Sequence, residues 1–403
     1  MKLSSKLLSM FTVAATVFVL ASCEKEDPVT PEPTPSTGNV IVTSNISSST
    51  TWTSDKVYQL GGRITVLDGV TLTIEPGTII KGEAGTGANA TALLVARGGK
   101  LIADGDADAP IIFTSVADEI TPADIAAGNF GSPNLDPTIN GLWGGVIVLG
   151  KARISASNED SGEDLTEVQI EGIPTSDPNG LYGGTEDADD SGIIRYVSIR
   201  HGGANIGAGN EINGLTLGGV GSTTIVEHIE VVANQDDGIE LFGGTVNVSN
   251  CMFWNIGDDA VDTDQSWAGT LDNFVIITPS GNCFELDGPE GTYVAGHVIR
   301  NGSVIASSED VTSQDLINTD DNSVVDLENI FITSIADGQV INRTEYTEGN
   351  VTFTNVTLDV VPANLADYVN GTVVSGISAG TTPQANTSVL SWTWASQAGA
   401  VTF

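Results

Sequence analysis

The chain has 403 residues, with 14 Lys and Arg against 52 Asp and Glu, for a formal net charge of −38. That charge repels nucleic acid and anionic lipid surfaces and excludes both as partners. Hydrophobic residues make up 40% and charged ones 16%, which excludes a disordered chain, while 47 glycines among short Val, Ile and Thr runs point to β structure with many turns.

In chain order, Lys2 and Lys6 precede an apolar stretch from Leu7 to Leu20 that is too short to span a bilayer. Small residues follow, in Leu20-Ala21-Ser22-Cys23, and the three features together read as a signal peptide over residues 1–22. The Leu-Ala-Ser-Cys string resembles the lipobox of bacterial lipoproteins. That resemblance implies cleavage before Cys23 and acylation of its thiol and amino group, so that lipid alone ties the protein to the membrane. Residues 23–40 read as a tether: Glu24, Glu26 and Asp27 come first, and then four prolines between Pro28 and Pro35 favour an extended chain. The acidic residues after the cysteine resemble the export signal of Bacteroidetes surface lipoproteins, which implies an outer-membrane anchor with the protein facing the cell exterior. No second apolar span follows.

Beyond the tether a short pattern repeats, in which a polar or aromatic residue precedes alternating apolar ones. It opens at Tyr196, His228, Asn250, Asn273, Asn301, Asn329 and Asn355. The spacing falls as low as 22 residues and grows where Gly- and Asp-rich stretches intervene. A period of this size means stacked repeats, and 22 residues suit one coil of a parallel β-helix with additions at its corners. The expected architecture is all-β: a β-helix over 41–385, closed by Trp52 and Tyr58 at the first coil and by a C-terminal cap at 386–403 that includes Trp392 and Trp394. Cys251 and Cys283 fall at different points of neighbouring coils, so two free buried thiols are expected rather than a disulfide.

Several longer motifs resemble the right-handed β-helix, pectin-lyase-like surface proteins of Bacteroidetes. They are Leu-Thr-Ile-Glu-Pro-Gly-Thr at 72–78, Gly-Leu-Trp-Gly-Gly at 141–145, Asn-Gln-Asp-Asp-Gly-Ile-Glu at 234–240, Gly-Asp-Asp-Ala-Val-Asp-Thr-Asp-Gln-Ser-Trp at 257–267 and Glu-Leu-Asp-Gly-Pro-Glu-Gly at 285–291. Relatives often carry a generic "multidrug transporter" label, but nothing in this sequence supports transport.

The most informative segment runs from Asn234 to Glu290. Three coils align at Glu240, Asp262 and Glu285, with steps of 22 and 23 residues. Strand alternation turns Ile239, Val261 and Phe284 inward and the three carboxylates outward, in one column. Asp236 and Asp258 stack before them, as do Asp237 and Asp259; Asp264 and Asp287 stack after. Such columns need cations, shared protons or strong hydration to offset their repulsion, and carboxylates near turns suit Ca²⁺. The candidate metal ligands are therefore Glu240, Asp262, Glu285, Asp264 and Asp287. A solvated, turn-forming face is the plainer alternative. Nothing points to an organic cofactor.

The same aspartate spacing resembles the paired-aspartate coils of polygalacturonases, where carboxylates serve as acid and base. The histidine and the Arg-x-Lys element that complete their site are missing here: Gly281-Asn282-Cys283 and Arg300 stand in those places. If the chain were an enzyme, the candidates are Asp236, Asp258 and Asp259, with Arg200 and His201 aligned to the same corner. His228 and His297 read as structural. Trp254 and Trp267 are candidate platforms for sugar rings. The acidic loops 157–164 and 186–190 read as mobile and carry no site. The sequence favours a surface lipoprotein presenting a β-helix as a binding or adhesion platform for glycan or a cell-surface partner. A polysaccharide lyase or glycoside hydrolase is the second reading, and a structural spacer the third.

Overall fold

A computed structural model describes residues 38–158, 160–206 and 211–403. The signal peptide, Cys23 and all but the last residues of the tether lie outside them. The 22-residue period resolves into one coil as follows. Strand Ile239–Phe242 turns at 243–246 into strand Asn247–Trp254, which turns again at 255–260 into strand Val261–Asp264. Stacked coils build a right-handed parallel β-helix with two long sheets. One is eight-stranded, from Arg63–Val66 to Asn318–Thr319; the other is fifteen-stranded and bent along its length.

The repeated polar or aromatic residue makes the bend. Tyr196, His228, Asn250, Asn273, Asn301, Asn329 and Asn355 all adopt positive φ, between 49° and 62°. A side chain normally disfavours this region, and Asn tolerates it best because its short amide bonds locally. Here the amides also bond between coils. Asn273 donates to Asn250 at 2.8 Å, Asn329 to Asn301 at 3.1 Å and Asn355 to Asn329 at 3.0 Å. The pattern read from sequence is thus a column of left-handed bends, one per coil.

Inward residues fill the solenoid. Ile239, Val261, Phe274, Phe284 and Ile330 are fully buried, and Phe274 meets Phe284 edge-on at 5.6 Å. Cys251 and Cys283 are buried and free, as expected, and burial pushes both thiols up to about 12. At the first coil Trp52 stacks on Tyr58 at 4.7 Å.

Two additions cover the outside. Residues 150–191 form hairpins over the first half of the eight-stranded sheet. Their Ile154, Ile170, Ile173 and Tyr182 pack on the sheet's outward Ala92, Leu94, Ile147 and Leu149. Each such aliphatic side chain contributes roughly 1.5–3 kcal/mol on burial. Three residues of the acidic loops make contacts in this addition. Asp187 pairs with Arg153, Asp190 with Lys100, and Asp164 accepts from the Thr292 amide at 2.7 Å.

The C-terminal segment differs from the expected end cap. It leaves the last coil and runs back along the flank of the bent sheet. Gln384 and Ala385 donate to Ser303 Oγ, Asn386 to Asn273 Oδ1, and Ala395 to Glu230 Oε1. Leu390, Trp394 and Ala395 cover the outward Val232, Met252, Trp254, Val275 and Ile277. An apolar stripe this long on the outer face needs a cover, and the segment supplies it.

Candidate functional site

Where the hairpin addition stops, the outward face of the eight-stranded sheet changes from apolar to acidic. The strand register stacks Thr216, Glu240, Asp262, Glu285 and Asn318 in one column. The three carboxylates expected to align therefore do, and a neutral residue bounds them at each end. Rungs about 4.8 Å apart leave no room to spread the charges. Phe242 stands one rung above Asp264, with its ring under the hairpins.

A second column enters from the turn that precedes each strand. Its members are Asn213, Asp237 and Asp259, each two residues before its strand, and Asn282, three residues before Glu285–Leu286. The turn is built by bonds between coils: the Asp259 amide donates to Asp237 Oδ1 at 3.0 Å, and the Asn282 amide donates to Asp259 Oδ1. Oxygens of Asp237, Glu240 and Asp262 lie within 4.8 Å of one another, as do those of Asp236, Asp237 and Asp258. Asp237 is common to both groups.

Electrostatics at this face run one way. Burial first, and neighbouring carboxylates second, hold Asp237, Glu240 and Asp262 well above the usual carboxylate range. The same causes push Asp236 and Asp287 to about 7 and Asp264 to about 8. Asp259 rises to about 9, through burial and a shared hydrogen bond with Glu285. Among the described residues, none of the nine ion pairs includes any of these groups. Two oxygens here are buried without a partner, Asp262 Oδ1 and Asn213 Oδ1. Asn213 donates its amide to Glu240 and is only 5% exposed, so its unpartnered oxygen is buried on a side chain that borders the cluster. Gly281 takes the third position of the Asp236 and Asp258 column. A Cβ there would lie 2.2 Å from Asp258 Oδ1 and 2.4 Å from Asp259 Oδ1, so glycine keeps the space before those oxygens open.

These features fit a divalent cation. The donors are carboxylate and amide oxygens, the hard set that Ca²⁺ takes. Asp237 and Asn213 were missed in reading the candidate ligands from sequence. The signal was present one coil upstream, where Asn213-Gly214-Leu215 aligns with Asp237-Gly238-Ile239.

The other candidates lie elsewhere. Arg200 does align with Val232 and Trp254, as the register predicted. It is nevertheless fully buried on the flank, bonded to Ser198 and paired with Glu230 at 3.4 Å beneath the Trp394 ring. His201 does not join Asp236 and Asp258. A left-handed backbone (φ 58°) turns its ring under the C-terminal segment, where Nδ1 donates to the Ile139 carbonyl. Burial lowers its pKa, and the charged groups near it are Asp118, Arg200 and Asp136. Neither tryptophan offers a face to sugar. Trp267 is 1% exposed inside the coil and donates to the Val246 carbonyl at 3.0 Å. Trp254 is covered by Trp394 at 5.7 Å. His228 stacks on Tyr196, and His297 is buried against Trp267, which pushes it down to about 3.

A family model described as a pectate-lyase-like β-helix domain matches residues 44–399. No curated protein and no solved structure matches the chain. The parallel coils, the two long sheets and this match over nearly the whole folded region agree, and the chain belongs to the pectate-lyase-like β-helix family.

Proposed function

We propose that the protein is a lipid-anchored surface protein of the outer membrane whose acidic face binds a divalent cation, and that the loaded face holds a glycan or a cell-surface partner. One observation carries this reading. Asp237, Glu240 and Asp262 converge within 4.8 Å, with a buried unpartnered oxygen on Asp262 and no positive side chain among the groups that shift them. Asp237, Glu240, Asp262 and the Asn213 oxygen would hold the ion, with Asp264, Glu285 and Asp287 beside it. The ion would supply positive charge to a face that otherwise repels acidic sugars. The hairpin addition and Phe242 would bound the bound chain at one end.

Isothermal titration with Ca²⁺, followed by glycan-array binding with and without Ca²⁺, tests both parts. Heat without glycan capture would leave a structural ion; no heat would remove the cation reading. The anchor is separate. Cys23→Ala should release the protein from the membrane fraction, and protease shaving of intact cells reports which way it faces.

Catalysis is a second reading, favoured by Asp259, which burial and the neighbouring Glu285 raise to about 9. A protonated carboxyl beside an ionised one is what acid–base cleavage of a polysaccharide requires. Reducing ends or unsaturated products released from polyuronate, and abolished by Asp259→Asn, would establish it.

A further inference from the structure

The end coils of a solenoid expose unpaired strand edges and open core, which proteins cover with caps or charge. At the C-terminal end this chain does neither. The last coil consists of the 3₁₀ turn Pro362–Tyr368, a bridge from Val369 to Ile341, and strand Ile377–Ala379 paired with 356–358. Among the described residues no strand lies on the outer side of Ile377–Ala379. Leu365, Tyr368, Val373 and Val374 pack on the core but remain half-buried, and Val361 is 64% exposed. The segment that follows turns away at Gly380 and runs back along the flank. Residues 368–403 contain no charged side chain, in a chain of net charge −38.

We propose that this end coil is a self-association surface, and that two copies meet tail to tail through the outer edges of 369–379. The partner is a second copy because of charge. Acidic flanks keep two such molecules apart, whereas 368–379 carries no charged side chain; of the acidic residues around it, Glu345 is engaged by the Thr372 hydroxyl at 2.8 Å, and Glu348, Asp359 and Asp367 lie at the border. Antiparallel pairing of the two Ile377–Ala379 edges satisfies their free backbone groups, and the half-buried apolar residues close over one another. A two-fold contact is self-complementary and stops at the dimer.

Among the described residues no strand lies on the outer side of the N-terminal edge, Asn39–Val42, either, and Ile41 is 60% exposed. Choosing the tail-to-tail mode rests on the anchored reading. The twelve-strand column from Asn39–Val42 to Ile377–Ala379 spans about 53 Å at 4.8 Å per step. On that reading the anchor lies on the N-terminal side of this column, so the C-terminal end is the one free to meet a second copy. On facing membranes, tail-to-tail pairs would join one cell to another.

The test uses the chain from residue 24, without the anchor cysteine, in sedimentation velocity over a concentration series at 0.15 and 0.5 M NaCl. A monomer–dimer equilibrium is expected, with a larger dimer fraction at high salt as the acidic flanks are screened. Ser378→Lys and Val361→Lys, both on the exposed end, should each weaken dimerisation at least tenfold with unchanged near-UV circular dichroism. Ile41→Lys should leave it unchanged, and Ser378→Cys should cross-link to itself under oxidation. A protein that stays monomeric throughout overturns the proposal, whatever the fate of the anchor. Loss of association with Ile41→Lys, or growth beyond the dimer, overturns the tail-to-tail mode in favour of head-to-tail stacking.

Discussion

Removing divalent cations should destabilise the coils between about residues 234 and 290, and Asp262→Asn should largely abolish that response. Asp262 stands in register between Glu240 and Glu285. Two unit charges 4.8 Å apart repel by about 3.5 kcal/mol at an effective dielectric of 20, so a fully ionised column is costly without an ion. A cation held at 100 times its dissociation constant stabilises the fold by about 2.7 kcal/mol. Unfolding entropy of about 2.1 cal/mol/K per residue over Thr37–Phe403 comes to about 0.8 kcal/mol/K, so the melting temperature should rise by about 3–4 °C. Differential scanning calorimetry at pH 8, in chelator and in millimolar Ca²⁺, measures this. Asp262→Asn removes the central charge and keeps the shape. The variant should melt above the wild type in chelator and gain little from Ca²⁺. Identical wild-type curves in chelator and Ca²⁺ would refute the reasoning. A variant less stable than wild type in chelator would show that the column is not under repulsion.

Further outcomes follow from the same geometry. In chelator the protein should lose stability as pH rises from about 5 to 9. Asp236, Asp287, Asp264 and Asp259 have folded values of about 7, 7, 8 and 9 against an ordinary 3.8, so the folded state holds more protons across that window and stability falls as they leave. Ca²⁺ should flatten the profile; a chelator profile that rises with pH contradicts the assignment. Glu230→Ala should cost about 3–5 kcal/mol in urea unfolding, because it leaves Arg200 buried without its partner and frees the Ala395 amide; a change under 1 kcal/mol would mean the flank segment is not held there. Asn329→Ala should cost about 1–2 kcal/mol, through two lost amide bonds and a side chain held at φ 52°. Asn329→Gly should cost less than Asn329→Ala, since glycine accepts that φ freely. Both native thiols should resist Ellman's reagent until the protein unfolds, since Cys251 and Cys283 are buried with raised pKa.

The solenoid is legible in the residue pattern. A 22-residue period can hold only short strands and turns, and strand alternation then fixes which residue faces outward. That is why the Glu240, Asp262 and Glu285 column was readable before any coordinates. The same register stopped one coil short of Asn213, because a change from Asp to Asn hides the alignment when only carboxylates are followed; Asp237 was aligned with Asp259 but left out of the ligand set. What covers each outward face is not legible there and emerges from the folded packing. Trp254 and Arg200 look like surface groups in the register, yet the C-terminal segment returns over more than one hundred residues of sequence to bury them. His201 is displaced from the acidic corner by a left-handed backbone that its sequence neighbours do not announce. Coil periodicity is local and repeats, so sequence carries it. Coverage depends on where insertions and tails fold back, and that is set by long-range packing of apolar stripes such as the one formed by Val232, Met252, Val275 and Ile277.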